Sequence, residues 1–484
     1  MPADPFSSAV EIAAAIRARR VRAREVAELL LSRIETHNPA LNAICTLDAA
    51  GARRRADEAD AALARGELWG PLHGVPMTIK DALETAGLRT TGGHPPLADY
   101  IPTKDASAVA RLRNAGAILL GKTNVPPLSA DYRADNPIFG RTNNPWNLER
   151  TPGGSTGGGA AAVAAGLSAF DVGSDLAGSV RTPAHFCGLF GLKPTERRVP
   201  NTGHIPEPPG LPRAVRHMNV LGPLARSVDD LVQVMKIISG PDDAEWDLAP
   251  VPWIDPPERP LKAHRFAWST DFAGVPVTQE TKAAIARLAA ELARLGCKVE
   301  ERNPDGFSYH DAWETWGEIA ITERAATGGE RSRERVEALN ATLGESWAVA
   351  RGSAKGVRAT VADYMAALTR RDALITTLEK FFERVDAFIC PVTVTPAIGH
   401  VPFGTPIDVD DRKVPYFIAG TAYTSVFNLT GHPSVVIPLT RSREGLPIGV
   451  QLVGKRWSEP ALLKLAQQVA LVTGPFTPPP GYKT

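Results

Sequence analysis

The stretch densest in chemistry-bearing side chains runs from Thr151 to Thr195: TPGGSTGGGAAAVAAGLSAFDVGSDLAGSVRTPAHFCGLFGLKPT. Its glycines permit positive backbone torsions and close backbone approach, both needed where several N–H groups converge on one ligand. Three chemistries compete for it. A nucleotide phosphate loop would end in Gly-Lys-Ser/Thr, which is missing, and the loose GxGxxA match from Gly157 to Ala162 has loop rather than strand ahead of it. A GxSxG nucleophile elbow would make Ser155, in Gly153-Gly154-Ser155-Thr156-Gly157, the attacking group on an ester or amide. That elbow needs a strand directly before the serine, which Trp146 to Pro152 does not supply. It also needs a later histidine base, and His185, His204 and His432 all fall in loops or turns.

The third reading rests on additional motifs. Gly74-Val75-Pro76-Met77-Thr78-Ile79-Lys80-Asp81 is followed by Gly121-Lys122-Thr123-Asn124, by Asp135-Asn136-Pro137 through Asn144-Pro145-Trp146, and by the Gly153 to Thr195 segment. Phe427-Asn428-Leu429-Thr430-Gly431 and Gly445 through Gly454 close the series. In this order, from about residue 7 to 454, the sequence resembles the amidase signature family. The resemblance implies an α/β amidase-signature fold, a mixed twisted β-sheet core covered by α-helices on both faces, and an amidohydrolase that works without histidine, metal or cofactor.

Carried over residue by residue, the resemblance implies a triad of Lys80, Ser155 and Ser179. Ser179 is the expected nucleophile, and Ser155, after a cis peptide, is the relay that passes its proton to Lys80. Backbone N–H groups of Leu176, Ala177 and Gly178 are the implied oxyanion donors, each of a kind typically worth ~100- to 1000-fold in rate. A lysine of reference pKa ~10.4 acts as a base near neutrality only if its site lowers that value by about 3 units, and burial at the end of the apolar strand Val75 to Ile79 is a means of doing so. An ion pair with Asp81 would do the opposite.

The sequence departs from the family pattern at Thr156, where a second serine is usual, and at Ala177-Gly178, where a glycine pair is usual. Ser174, Asp175 and Arg181 are expected to orient the oxyanion turn. Ser129 and Ala130 are expected to flank the leaving group, and Trp313, Trp316 and Tyr364 to line an aromatic pocket. The expected substrate is a small neutral or apolar carboxamide, an aryl amide, or a related carbamate (urethane) or ester, with water as the second reactant. Two other roles share these residues: the amidase component of a tRNA-dependent amidotransferase, and a catalytically silent binding scaffold.

The elements that must hold these groups are legible as short apolar strands separated by helical stretches. They are Val75 to Ile79, Ala117 to Leu120, Ala169 to Val172, Arg265 to Trp268, Ala387 to Cys390, Ser434 to Pro438 and Ile448 to Val453. Residues 1–66 read as a helical lead-in packed on the core, and 67–484 as the α/β domain, with substrate-shaping insertions at about 200–260 and 307–364.

Across 484 residues, 54 Lys and Arg balance 53 Asp and Glu, a formal net charge of +1, so no global field draws in nucleic acid or an anionic membrane. The run Arg17, Arg19, Arg20, Arg22 and Arg24 has no interleaved aromatic for base stacking. No apolar stretch reaches the ~20 residues of a membrane span and no secretory leader is evident, so a cytoplasmic protein is expected. The four cysteines, Cys45, Cys187, Cys297 and Cys390, are too dispersed for a metal pair and read as isolated buried thiols. The N-terminal helices offer a surface for a homodimer.

Overall fold

Runs of valine, isoleucine, leucine and alanine without polar alternation are what a sheet covered on both faces requires. In the computed structural model, which describes residues 4–205, 209–210, 213–344 and 346–483, with backbone alone for part of 327–343, such runs form the centre of the molecule. Among the described residues eleven strands make one mixed sheet, with helices packed on it.

Pro76–Lys80 lies near one side of that sheet, parallel both to Ile118–Thr123 and to Phe170–Asp175. Phe170–Asp175 runs antiparallel to Val220–Ala225, which pairs with Phe190–Lys193, and Ser434–Arg441, Pro447–Val453, Ala387–Pro391, Arg265–Trp268 and Lys298–Glu301 follow in that order. All seven strands expected from the sequence are present.

The stretch 200–260 departs from its reading as an insertion. Positions 206–208 and 211–212 lie outside the described residues, but Val220–Ala225 is a central strand and Val228–Ile238 a helix packed on it. Gly222-Pro223 disguises the strand, because glycine and proline read as breakers. Here the glycine is required: a Cβ at Gly222 would sit 1.9 Å from the Leu192 carbonyl oxygen.

The lead-in forms helices Ala9–Arg17, Ala23–Leu41 and Ala49–Ala64. Ser8 and Glu11 close a capping box on the first. Ile16, Leu30 and Ile34 share a core with Met77, Ile79 and Val172, while Ile44–Leu47 adds an edge strand beside Ile118–Thr123. A second core gathers Trp313, Trp316, Phe388, Tyr423 and Phe427 from helix Tyr309–Leu343, helix Tyr416–Leu429 and the far half of the sheet.

No helix among the described residues is long and apolar enough to cross a membrane. All four cysteines are unpaired, and Cys45 departs from its expected burial in being only partly covered.

Candidate active site

The site is assembled where the C-terminal ends of two parallel strands meet the glycine-rich segment. Pro76–Lys80 is buried along its whole length and ends on Lys80, so the lysine stem lies inside the protein, shielded from solvent. Its Nζ is 2.6 Å from Ser155 Oγ and 2.9 Å from Ser174 Oγ.

No carboxylate among the described residues comes within ion-pair distance of this amine. Asp81 turns away and accepts from the Thr91 backbone N–H at 3.1 Å and the Thr91 hydroxyl at 2.5 Å. Burial lowers the Lys80 pKa to about 7, against the upward pull of Asp171 and Asp175. Near neutrality a large share of Lys80 is therefore the free amine, which the expected chemistry requires.

Ser155 follows a cis Gly154–Ser155 peptide. Gly154 packs against the loop that carries Tyr132 and Arg133 so closely that a Cβ there would be 2.5 Å from the Arg133 nitrogen. Helix Gly157–Ala164 starts behind it with Thr156 at the N-cap position, so Ser155 does not cap the helix and its side chain is committed to Lys80. That partner also argues against the nucleophile-elbow reading, since no histidine meets Ser155 among the described residues. His185, one candidate base, accepts from the Gly449 N–H at 2.7 Å and is pushed down to about 4 by burial.

Ser179 joins this pair through the backbone: the Thr156 N–H donates to its carbonyl at 3.1 Å. The side chain is partly exposed, and among the described residues its Oγ makes no hydrogen bond. Lys80 and Ser155 are thus in direct contact, whereas Ser179 is held beside them by the peptide frame. Thr156, besides this backbone bond, points its hydroxyl at the Ser174 carbonyl at 3.5 Å.

The turn from Leu176 to Ser179 is fastened from outside. Asn428 Nδ2 donates to the Asp175 carbonyl at 2.9 Å, Trp316 Nε1 to the Leu176 carbonyl at 3.2 Å, and Thr424 Oγ1 to the Ala177 carbonyl at 2.6 Å. In a trans peptide the next N–H points opposite its carbonyl, so pinning these oxygens aims the following N–H groups away from the second core. Gly178 differs from expectation, because its N–H is occupied by Asp175 Oδ1 at 2.8 Å. The N–H groups without a partner among the described residues are those of Leu176, Ala177 and Ser179.

Asp175 is the hub of this turn. It is fully buried and also accepts from the Val180 N–H at 3.1 Å, from Arg181 Nη2 at 2.9 Å and from Arg181 Nε at 3.1 Å. Burial alone would raise its pKa, but the Arg181 charge and these hydrogen bonds hold the carboxyl well below the usual range. Arg181 in turn donates to the Thr424 carbonyl at 3.0 Å, to Gln451 Oε1 at 3.1 Å and to Asn428 Oδ1.

Of the expected pocket aromatics, Trp316 reaches the turn, and Phe417 lies 5.7 Å from it between ring centres. Trp313 instead donates to the Ala422 carbonyl at 2.9 Å within the second core, and the Tyr364 hydroxyl bonds Glu323 Oε1 at 2.7 Å. Ser129 and Ala130 end a short 3-10 turn in which Leu128 and Ser129 both have positive φ, and Ser129 Oγ is buried without a partner among the described residues.

One residue absent from the expected set is Asp171, fully buried on Phe170–Asp175 and in register with Thr78, two residues from Lys80. Its Oδ2 accepts from Thr78 Oγ1 at 2.8 Å and Thr123 Oγ1 at 3.1 Å, while Oδ1 has no partner among the described residues. Burial pushes it up to about 7, against its two hydroxyl donors and the charges of Lys80 and Lys122. An aspartate inside an apolar strand is the signal that could have found it.

The sequence matches the family described as Amidase over residues 25–463. The chain belongs to the amidase signature family. It is 34% identical over 476 residues to a glutamyl-tRNA(Gln) amidotransferase subunit of Synechococcus sp. (strain CC9605), covering 94% of each chain. It is 35% identical over 469 residues to the indoleacetamide hydrolase of Bradyrhizobium diazoefficiens, covering 96% of this chain and 86% of that protein. Among solved structures, that of 6-aminohexanoate cyclic dimer hydrolase complexed with substrate superposes with a TM-score of 0.79 at 28% identity, over the full length of both chains. As an amidase signature enzyme the protein acts on carbon–nitrogen bonds.

Proposed function

We propose that the protein is an amidohydrolase of small carboxamides, aryl or aliphatic, with carbamates and esters as related substrates, and that Ser179, Ser155 and Lys80 carry the reaction. The observation that carries this reading is the 2.6 Å contact between the Ser155 hydroxyl and a buried Lys80 amine whose pKa is lowered to about 7.

In the proposed cycle Ser179 Oγ attacks the substrate carbonyl carbon while its proton passes to Ser155 Oγ and the Ser155 proton to Lys80 Nζ. The tetrahedral oxyanion is received by free N–H groups of the Leu176 to Ser179 turn. The C–N bond then breaks, and the proton returns from Lys80 through Ser155 to the departing nitrogen. Water attacks the acyl-Ser179 ester by the same relay, releasing the acid and restoring the three residues.

Hydrolysis of an anilide by the purified chain, with loss on Ser179→Ala, tests the reading. The relatives of about 34 to 36% identity that bear the amidotransferase name favour a second one. In it the same residues release ammonia from an amide inside a larger assembly. Turnover of a simple amide by the isolated chain speaks for the first, and activity only on adding partner proteins for the second.

A further inference from the structure

Two buried lysines stand at the ends of neighbouring parallel strands, Lys80 and Lys122, and their hydrogen-bond partners differ in kind. Lys122 donates to the Leu83 carbonyl, to Thr85 Oγ1 at 2.7 Å and to Thr90 Oγ1 at 3.1 Å. Both threonine hydroxyls commit their own hydrogens to backbone carbonyls, Thr85 to Leu83 at 3.1 Å and Thr90 to Leu88 at 3.0 Å. Toward Lys122 all three groups can therefore only accept, which suits the three hydrogens of an ammonium.

Lys80 has no such fixed acceptor among the described residues. Its partners are two hydroxyls, Ser155 Oγ at 2.6 Å and Ser174 Oγ at 2.9 Å, and neither donates elsewhere among the described residues. Ser174 is set in the sheet: it pairs with Leu221, its carbonyl receives the Thr156 hydroxyl at 3.5 Å, and it is buried. Its hydroxyl meets Lys80, and no group of the Leu176 to Ser179 turn among the described residues.

A free amine carries two hydrogens and one lone pair, so it can accept from only one of the two serines. If Ser174 donated to the lone pair, Ser155 could only accept, and Lys80 could not take its proton. If Ser174 accepts an N–H, the lone pair is left for Ser155. The distances favour the second arrangement. The Ser174 contact of 2.9 Å is ordinary for an N–H donor, whereas the 2.6 Å to Ser155 is short for one and fits a hydroxyl donor.

We propose that Ser174 is a positioning residue whose hydroxyl accepts an N–H of the Lys80 amine, turning the lone pair toward Ser155 and so fixing the direction in which the proton travels. The assignment rests on the amidohydrolase reading above, in which Ser155 relays the Ser179 proton to Lys80. As Lys80 takes the Ser155 proton, its N–H to Ser174 stays in place and the lone pair becomes a new N–H directed at Ser155. The return step reverses this. Ser174 neither gains nor loses a proton.

The test uses the purified chain and an anilide, with kcat and KM followed between about pH 5 and 9 for wild type, Ser174→Ala, Ser174→Cys and Ser174→Thr. Thermal melting confirms folding. Alanine removes the acceptor, cysteine keeps the volume with a weak acceptor, and threonine keeps the hydroxyl. An acceptor on Nζ stabilises the ammonium, so its removal lets Lys80 release the proton at lower pH.

In Ser174→Ala, kcat is expected to fall about tenfold or more with a change in KM of about twofold or less, and the acid limb of kcat/KM to move down by about one pH unit. Ser174→Cys should move the limb the same way, and Ser174→Thr should restore it. A limb that stays in place or moves up in the folded alanine or cysteine variant overturns the proposal whatever the rate, as does a threonine variant whose limb follows that of alanine. If the wild type leaves the anilide intact, or Ser179→Ala cleaves it undiminished, the amidohydrolase reading itself fails, a result distinct from wild-type turnover whose pH limb ignores position 174.

Discussion

Lys80 Nζ lies 2.6 Å from Ser155 Oγ, inside a site where no carboxylate among the described residues comes within ion-pair reach of the amine. Desolvation is thus left to set its protonation, and the sign follows. In the proposed mechanism the free amine is the active form, so kcat/KM should rise with pH through a limb at about 7. Lys80→Met should remove the limb together with most of the activity, by about a thousandfold or more. The same shift acts on stability. The unfolded chain holds the Lys80 proton up to about 10.5 and the folded one releases it at about 7, so stability rises with pH across that window, and Lys80→Met should flatten the rise in urea titrations.

Ser179→Ala should leave melting unchanged and abolish covalent labelling. The side chain is partly exposed and forms no hydrogen bond among the described residues, so its hydroxyl contributes little to the fold. Intact-protein mass spectrometry after treatment with a serine-directed phosphonate gives the check. An adduct on wild type and none on the variant is expected, and labelling at Ser155 instead would reverse the roles of the two serines.

Asp171→Asn should move the acid limb of the pH profile downward. The aspartate charge favours protonated Lys80, so neutralising it lets the amine lose its proton at lower pH. Because the two groups are coupled, the profile reports apparent values of the pair. The expected gain is in relative rate below neutrality, measured as kcat/KM between about pH 5 and 7 against the wild-type curve.

Arg181→Met should destabilise the protein strongly, by about 3–5 kcal/mol, because it strands the fully buried Asp175 carboxylate without its cation. The pH dependence has a different origin from that of Lys80. A carboxyl held low in the folded state contributes stability above its unfolded value of 3.8, and that contribution is lost as pH falls below it. Acid unfolding of the wild type should therefore include this term, and Arg181→Met should be weaker already at neutral pH, as read from denaturant midpoints.

What the sequence reveals and what it hides divide along physical lines. The burial of Lys80 is legible because an unbroken apolar strand ends on it, whereas its expected role comes from the resemblance of the ordered motifs. The expected roles of Ser155 and Ser179 likewise come from the resemblance, because the glycine-rich segment alone leaves several chemistries open. Val220–Ala225 is hidden because its glycine and proline, which ordinarily break strands, here answer to a neighbouring carbonyl only 1.9 Å from where a Cβ would stand. The engagement of the Gly178 N–H by Asp175, and the buried orphan oxygen of Asp171, depend on three-dimensional contacts that no local spacing encodes. Trp313 and Trp316, three apart on one helix, look alike in the chain and differ only in which carbonyl their indoles reach.

The fastening of the Leu176 to Ser179 turn by Trp316, Thr424 and Asn428 divides the proposed catalytic centre between two parts of the fold. The proposed base sits on a strand beside the N-terminal helices, whereas the turn that leads to the proposed nucleophile is held by side chains on Tyr416–Leu429 and Tyr309–Leu343. On the proposed mechanism, substitutions on those two helices would shift the turn without touching the Lys80–Ser155 contact, so the two halves of the site are mechanically separable.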